Sequence, residues 1–237
     1  MPKKENECSK DGAELAILHK IVETISYDLN LEEVLSKIID IVEGVTKADS
    51  CFLYLIDGKN LVLRASQNSH SGIIGNIKLK LGEGITGWVA KNKKTVIISE
   101  KAYDDDRFKL FNDLPEDAYE AFLSVPIIYK KETLGVINVQ NKKPRKYFDS
   151  EIKLFETIAR ATGGAIENAR LFTESQELKE TLETRKSIEK AKGILMKEMS
   201  ISEDAAYKLL NKKSMDKRIS MKEVADAILI SDELRKG

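Results

Sequence analysis

Positive charge gathers near one end of the chain. Lys208, Lys212, Lys213, Lys217, Arg218 and Lys222 fall within one turn-rich stretch, opposed there only by Asp216. Cations so placed could neutralise nucleic-acid phosphates, the source of most such affinity. Lys208 and Lys212 are four residues apart and so share a helix face. Tyr207 stands beside them. Its ring could stack on an unpaired base, as looped RNA is commonly read, or could fill a helical core. The lysines could equally be an ordinary solvated face, and residue types alone leave that open.

Elsewhere the reactive side chains form no catalytic set. Cys8 sits in a polar start and Cys51 in an apolar strand, which supports no disulfide framework, zinc site or redox pair. His19 reads as a helix-surface residue and His70 as a loop residue, so a two-histidine metal site is not expected. Asp104, Asp105 and Asp106 could suggest a metal, but consecutive carboxylates in a polar loop are usually solvated. Gly82-Glu83-Gly84 suits a turn needing positive φ; with no Gly-Lys-Ser/Thr following, it makes a poor phosphate cradle. Trp88, just beyond, could be a packing residue or a ligand platform. No enzyme is expected, and the residues name no cofactor.

These groups need elements to hold them. The chain has 237 residues, 42% hydrophobic and 33% charged, enough for a globular domain with an appendage. Its 39 basic and 39 acidic residues cancel, so a uniformly basic nucleic-acid binder is excluded and any basic footprint must be local. No apolar run approaches the roughly 18 residues that span a bilayer. The start, Met1 to Lys10, lacks an apolar signal-peptide core. A cytoplasmic protein with no membrane partner is expected, its first 12 residues disordered.

Leu15, Leu18, Ile21, Val22 and Ile25 recur at helical spacing. After a break, Asn30 with Glu33 resembles a capping box opening a helix with Val34, Leu35, Ile38, Ile41 and Val42 on one face. Short strands follow at 51–56, 61–65, 77–81, 95–98, 122–129 and 133–139, the first two joined by an Asp57-Gly58 turn. Helices followed by hairpin-linked strands predict an α+β fold with an antiparallel sheet. From Asp149 to about Glu198 no proline interrupts, which predicts a helix of about 75 Å if continuous. Gly163-Gly164 inside it marks either a kink or domain end, or a close approach of two helices. Leu171, Ser175, Leu178 and Leu182 form a short coiled-coil seam. Beyond it, Ser200-Ile-Ser-Glu203 and Ser220-Met-Lys-Glu223 each match a capping box, predicting three helices between Thr184 and Leu234.

Leu81-Gly-Glu-Gly-Ile-Thr-Gly-Trp-Val89, Asp106-Arg107-Phe108, Ser124-Val-Pro-Ile-Ile128, Leu134-Gly-Val-Ile-Asn138, Phe148-Asp149 and Ala165-Ile-Glu-Asn-Ala-Arg-Leu171 together resemble the GAF domain. The resemblance implies an antiparallel-sheet sensor over 13–170 with a small-molecule ligand, and a sensor pocket near Tyr54, Trp88, Asp106, Arg107 and Phe108. Asp106 and Arg107 are expected to structure their loop. Asn141-Lys142 and Phe148 match part of the cyclic-nucleotide signature of that family, but its terminal Asp-Glu pair is absent at the required spacing. A cysteine beside a histidine, as tetrapyrrole attachment needs, is also missing.

The C-terminal part resembles the ANTAR module through Arg185, Ile188, Glu189-Lys-Ala-Lys-Gly-Ile-Leu-Met196, Ser202-Glu-Asp-Ala-Ala-Tyr207, Leu209-Leu210, Ser214-Met215 and Val224-Ala225. That family binds paired RNA stem-loops in nascent transcripts as a dimer and prevents a terminator hairpin from forming. The resemblance implies a coiled-coil helical linker over 171–183 and a three-helix RNA-binding module over 184–237. It adds Lys192 and Ser214 to Tyr207, Lys208, Lys212, Lys213, Lys217 and Arg218 as RNA-contacting residues, in a homodimeric antitermination regulator. A DNA-binding or protein-interaction output is the alternative.

Overall fold

The computed structural model describes residues 30–67, 74–108 and 119–236. The polar start, the helical pattern from Leu15 to Ile25, Cys8, His19, His70 and Pro115 lie outside them. The chain divides into two compact units, Met1–Leu171 and Phe172–Gly237.

In the first unit, helix α1 (Leu31–Thr46) opens where the Asn30 side chain accepts the Glu32 N–H at 2.9 Å. That donor precedes the Glu33 position of the expected capping box by one residue. Val34, Leu35, Ile38, Ile41 and Val42 are buried as their spacing requires. Six strands follow: β1 (Ser50–Asp57), β2 (Asn60–Ser66), β3 (Lys78–Lys80), β4 (Val96–Ile98), β5 (Ala121–Tyr129) and β6 (Glu132–Asn141). They make one sheet in the order β3-β2-β1-β6-β5-β4, antiparallel at every pairing. Gly58 turns the first hairpin at φ +60. The fold is α+β, as expected.

Alternation along the strands divides the interior in two. Cys51, Leu53, Leu123, Val125, Ile137 and Val139 pack with α1 and with Phe155, Ile158 and Ala159. Phe52, Tyr54, Phe122 and Val136 point the other way, toward helix α2 (Gly84–Asn92). Gly82 and Gly84, at φ +90 and +67, make the turn that starts α2, a conformation costly for any side chain.

Helix α3 (Asp149–Met199) is a single element of 51 residues. It runs through Gly163-Gly164 without ending there. A Cβ on Gly163 would lie 2.8 Å from the Ile128 carbonyl oxygen, so the close approach at this glycine is of helix to strand. Nothing lies within 4 Å of a Cβ on Gly164.

In the second unit the end of α3 packs with α4 (Glu203–Lys217) and α5 (Met221–Lys236). Ala191, Leu210, Val224 and Ala225 form its core, with Ile188, Leu195, Met221 and Ile228 at the margin. The Ser220–Glu223 box forms in both directions, Ser220 N–H to Glu223 at 2.7 Å and Glu223 N–H to Ser220 Oγ at 3.1 Å. The other box does not. Ser202 caps α4 by accepting the Ala205 N–H at 3.3 Å, while Ser200 takes φ +51 just past the end of α3.

The glycine pair gives opposite expectations. Gly163→Ala should destabilise the protein by about 1–3 kcal/mol, because backbone must move to admit the methyl. Gly164→Ala should stabilise it by up to about 1 kcal/mol through helix propensity. Denaturant titration of both variants checks this, and equal stabilisation would contradict the helix-on-strand contact.

Candidate functional site

Helix α4 carries most of the cations that the sequence singles out. Its inner side is fixed by Ala206 and Leu210, both fully buried. At about 100° per residue, Lys208 and Lys212 then point outward together, while Lys213 and Lys217 fall on the same side as Ala206 and Leu210, toward the end of the helix. All four are exposed, but they make two pairs and not one face. Lys213 and Lys217 border a groove of about 350 Å³ whose apolar wall includes Leu209, Ile219 and Ile228, with Arg235 across it. Tyr207 is 48% exposed, so its ring is not a core residue. It projects on a flank between the core and the Lys208 side. Arg218 ends the helix at φ +54, exposed.

Two of the expected RNA-contacting residues are already engaged within the protein. Lys192, on α3, is 7% exposed. Its ammonium lies 2.8 Å from Glu189 and 2.6 Å from Glu203. Those carboxylates, Glu189 first, hold its proton more tightly than in a free lysine. Lys192 thus ties the start of α4 to α3 and is not an open phosphate contact. The Ser214 hydroxyl donates to the Ile219 carbonyl, and the Ser214 carbonyl accepts the Ile219 N–H at 3.1 Å. Ser214 therefore closes the turn between α4 and α5. Ala205, half-buried beside Ala206, suits helix packing.

In the first unit, four of the five expected pocket residues share one neighbourhood. Tyr54 is buried in the α2-side cluster, its ring 6.3 Å from that of Phe52. Trp88 and Phe108 pack against the same cluster. The Arg107 guanidinium sits 4.9 Å above the Trp88 ring, a cation–π contact that covers one face of the indole. Arg107 also binds Asp105 through two nitrogens, at 2.8 and 2.7 Å. The pairing holds the Asp105 carboxyl below the usual range. Asp106 is exposed. The loop-structuring carboxylate is therefore Asp105, one residue before the one expected: its Oδ1 also accepts the Arg107 N–H, and its carbonyl accepts the Phe108 N–H. No group of three metal-ligating side chains exists among the described residues.

Sequence reading missed a buried polar chain on this side of the sheet. Ser124 donates to Asn138 at 2.6 Å, and Asn138 donates to Thr86 at 2.7 Å. Gln140 follows Asn138 on the same face of β6, and its buried Oε1 has no hydrogen-bond partner among the described residues. The signal lay in the alternation: Asn138 and Gln140 put amides where apolar side chains otherwise recur. An unpaired buried amide oxygen is costly.

Residues 28–167 match the GAF domain and residues 176–229 the ANTAR domain. The chain is 29% identical over 181 residues to the dual 3',5'-cyclic-AMP and -GMP phosphodiesterase 11A of Takifugu rubripes, covering 70% of this chain and 20% of that protein. Its C-terminal part is 44% identical over 52 residues to the transcriptional regulatory protein PdtaR of Mycobacterium tuberculosis, covering 22% of this chain and 25% of that protein. The GAF domain of an Acinetobacter phosphoenolpyruvate-protein phosphotransferase is similar in structure with a TM-score of 0.61 and 28% identity, covering 66% of this chain and 94% of that one. The chain thus spans only a fifth of the phosphodiesterase and a quarter of the transcriptional regulator. Among the described residues no helix is long and apolar enough to cross a membrane.

Thiol chemistry at the sheet has a direct check. Cys51 is fully buried, and burial pushes its thiol up to about 12. At pH 8 its thiolate fraction should be on the order of 10⁻⁴. A Cys8→Ser variant should therefore release no colour from an aromatic disulfide reagent until denaturant is added. Rapid reaction of the folded variant would contradict this burial.

Proposed function

This chain belongs to the GAF domain family and continues into an ANTAR domain, and on that premise we propose that it is a signal-responsive, RNA-binding antitermination regulator. In this reading the sensor occupies 13–170, a helical linker 171–183, and the RNA-binding module 184–237. It catalyses no reaction. The single observation that carries it is the set of solvent-facing cations on α4, with Tyr207 beside them, inside the ANTAR-matched residues. Phosphates on one side of a loop would meet Lys208 and Lys212, and an unstacked base would meet the Tyr207 ring. Likeness to a named transcriptional regulator over the same 52 residues supports this output.

The working form is a homodimer. Leu171, Leu178 and Leu182 are 50%, 59% and 56% exposed on α3. At four- and three-residue spacing they suit a second copy of the same helix. A small molecule on the α2 side of the sensor sheet would alter the helix pair and, with it, the spacing of two RNA-binding modules. Gln140 supports that position because its amide oxygen needs a donor. The shared feature with the phosphodiesterase relative is the sensor domain, and nothing catalytic follows from it.

Hairpin RNA capture tests the output. With about four phosphate contacts per loop, log affinity should fall with log salt at a slope of about −3. Lys208→Gln with Lys212→Gln should weaken capture at least tenfold and flatten that slope by about 1.4. Lys213→Gln with Lys217→Gln, beside the groove on the inner side of α4, should cost less. Duplex DNA in competition should not displace the RNA. Unchanged capture by both double variants would leave these lysines an ordinary solvated face.

A further inference from the structure

A second cationic site lies wholly within the sensor unit. Strand β4 pairs only with Phe122, Leu123 and Ser124 of β5. Beyond that pairing a groove of about 600 Å³ opens along β5, with Val125, Pro126 and Ile128 in its lining. Proline has no N–H to offer a further strand, so the groove is poorly suited to extending the sheet. Its walls are basic. Lys93 and Lys94 follow the end of α2, Lys130 and Lys131 form the β5–β6 turn, and Arg160 comes from α3.

The charge is hardly compensated. One carboxylate, Glu156, lines the groove, and it accepts the Thr95 hydroxyl at 2.7 Å. Among the described residues none of the five cations forms an ion pair. A cleft walled by one sign of charge concentrates its field and attracts multivalent counter-ions.

The backbone gives a second, independent observation. Lys93, Lys130 and Lys131 have φ of +58, +47 and +77, a region that side chains other than glycine rarely occupy. The two-residue turn between Tyr129 and Glu132 would ordinarily be Asn-Gly; here both residues are lysines. The Lys93 ammonium donates to the Lys131 carbonyl, tying one wall to the other. Lys93 takes the left-handed cap that also ends α1 at Lys47 and α4 at Arg218, whereas the Lys130-Lys131 turn puts two long cations side by side where Asn-Gly would be the easier choice.

We propose that this groove binds a small oligophosphate. Lysine and arginine donors hold its phosphates, and an organic portion, where present, lies against Val125, Pro126 and Ile128. The volume falls in the range of small-molecule pockets, and walls on several sides favour a compact ligand over a nucleic-acid strand. The site is separate from the α2-side face, because it opens at the β5 edge beside α3.

Calorimetry on the full chain, with sodium triphosphate and with ATP at matched ionic strength and without magnesium, tests this. Saturable binding of one molecule per chain is expected. Lys94→Gln with Arg160→Gln should weaken it at least tenfold. A Lys130→Asn, Lys131→Gly variant should do the same while giving the turn its preferred residues, so a folding defect cannot explain both losses. Tighter binding of ATP would show that the apolar lining contributes; equal binding would show that phosphate suffices, and either supports the site. Heats no different from sodium chloride, or affinity in both variants equal to that of the unsubstituted chain, would overturn it. Loss of hairpin RNA capture without any triphosphate binding would also overturn it, assigning the groove to RNA. Retained triphosphate binding in a protein that ignores RNA would leave this site standing while the antitermination reading fell.

Discussion

One helical repeat must serve three different surroundings along α3. Its first turns bury Phe155, Ile158, Ala159, Ala165 and Ile166 against the sheet, where apolar area removed from water contributes about 25 cal/mol per Å². Its last turns bury Ala191 and hold Ile188 and Leu195 at the edge of a small core. Between them, residues 170–183 are exposed all round, yet Leu171, Leu178 and Leu182 keep an apolar spacing. A helix with neither core nor partner gains little from such leucines, and tertiary burial supplies most helical stability in water. That uncovered stretch is what supports the proposal of a second copy.

The two ends of the chain handle polarity in opposite ways. In the sensor, an amide and two hydroxyls are taken into an apolar interior and satisfied as a chain, Ser124 to Asn138 to Thr86, while Gln140 is left with an acceptor to fill. In the C-terminal unit, little is buried and the lysines of α4 stay in water, which suits a partner whose charge lies on its own surface. Lys192 is the exception: largely buried, it pairs with Glu189 on α3 and with Glu203 in the first turn of α4.

Local signals are enough to find the elements: α1 has a half-buried face whose repeat is legible, the central strands β1, β5 and β6 are short apolar runs buried on both faces, and the C-terminal helices are marked by their serine caps. Side-chain partners were less legible. Two serines two residues apart, Ser200 and Ser202, both fit a cap pattern, and only the path of the chain out of α3 selects Ser202. Asp105 and Asp106 are equivalent as letters, but only Asp105 has its carboxylate on the Arg107 guanidinium. Lys192 looked available because the acid that closes over it, Glu203, belongs to another helix. The Gly163 contact was invisible for the same reason, since Ile128 is far away in sequence and close only after folding. Local signals report a residue's own element well and its neighbours across space poorly.

The proposed regulator needs two identical modules, each reading one loop, held together by a pair of α3 helices. Titrating the full chain with an RNA carrying two stem-loops, and then with either loop deleted, measures that most directly. Linked binding should make the two-loop RNA roughly a hundredfold tighter than either single-loop form, with two protein chains bound per RNA. Equal affinity for one loop and two, from a protein that is folded and dimeric, would contradict it.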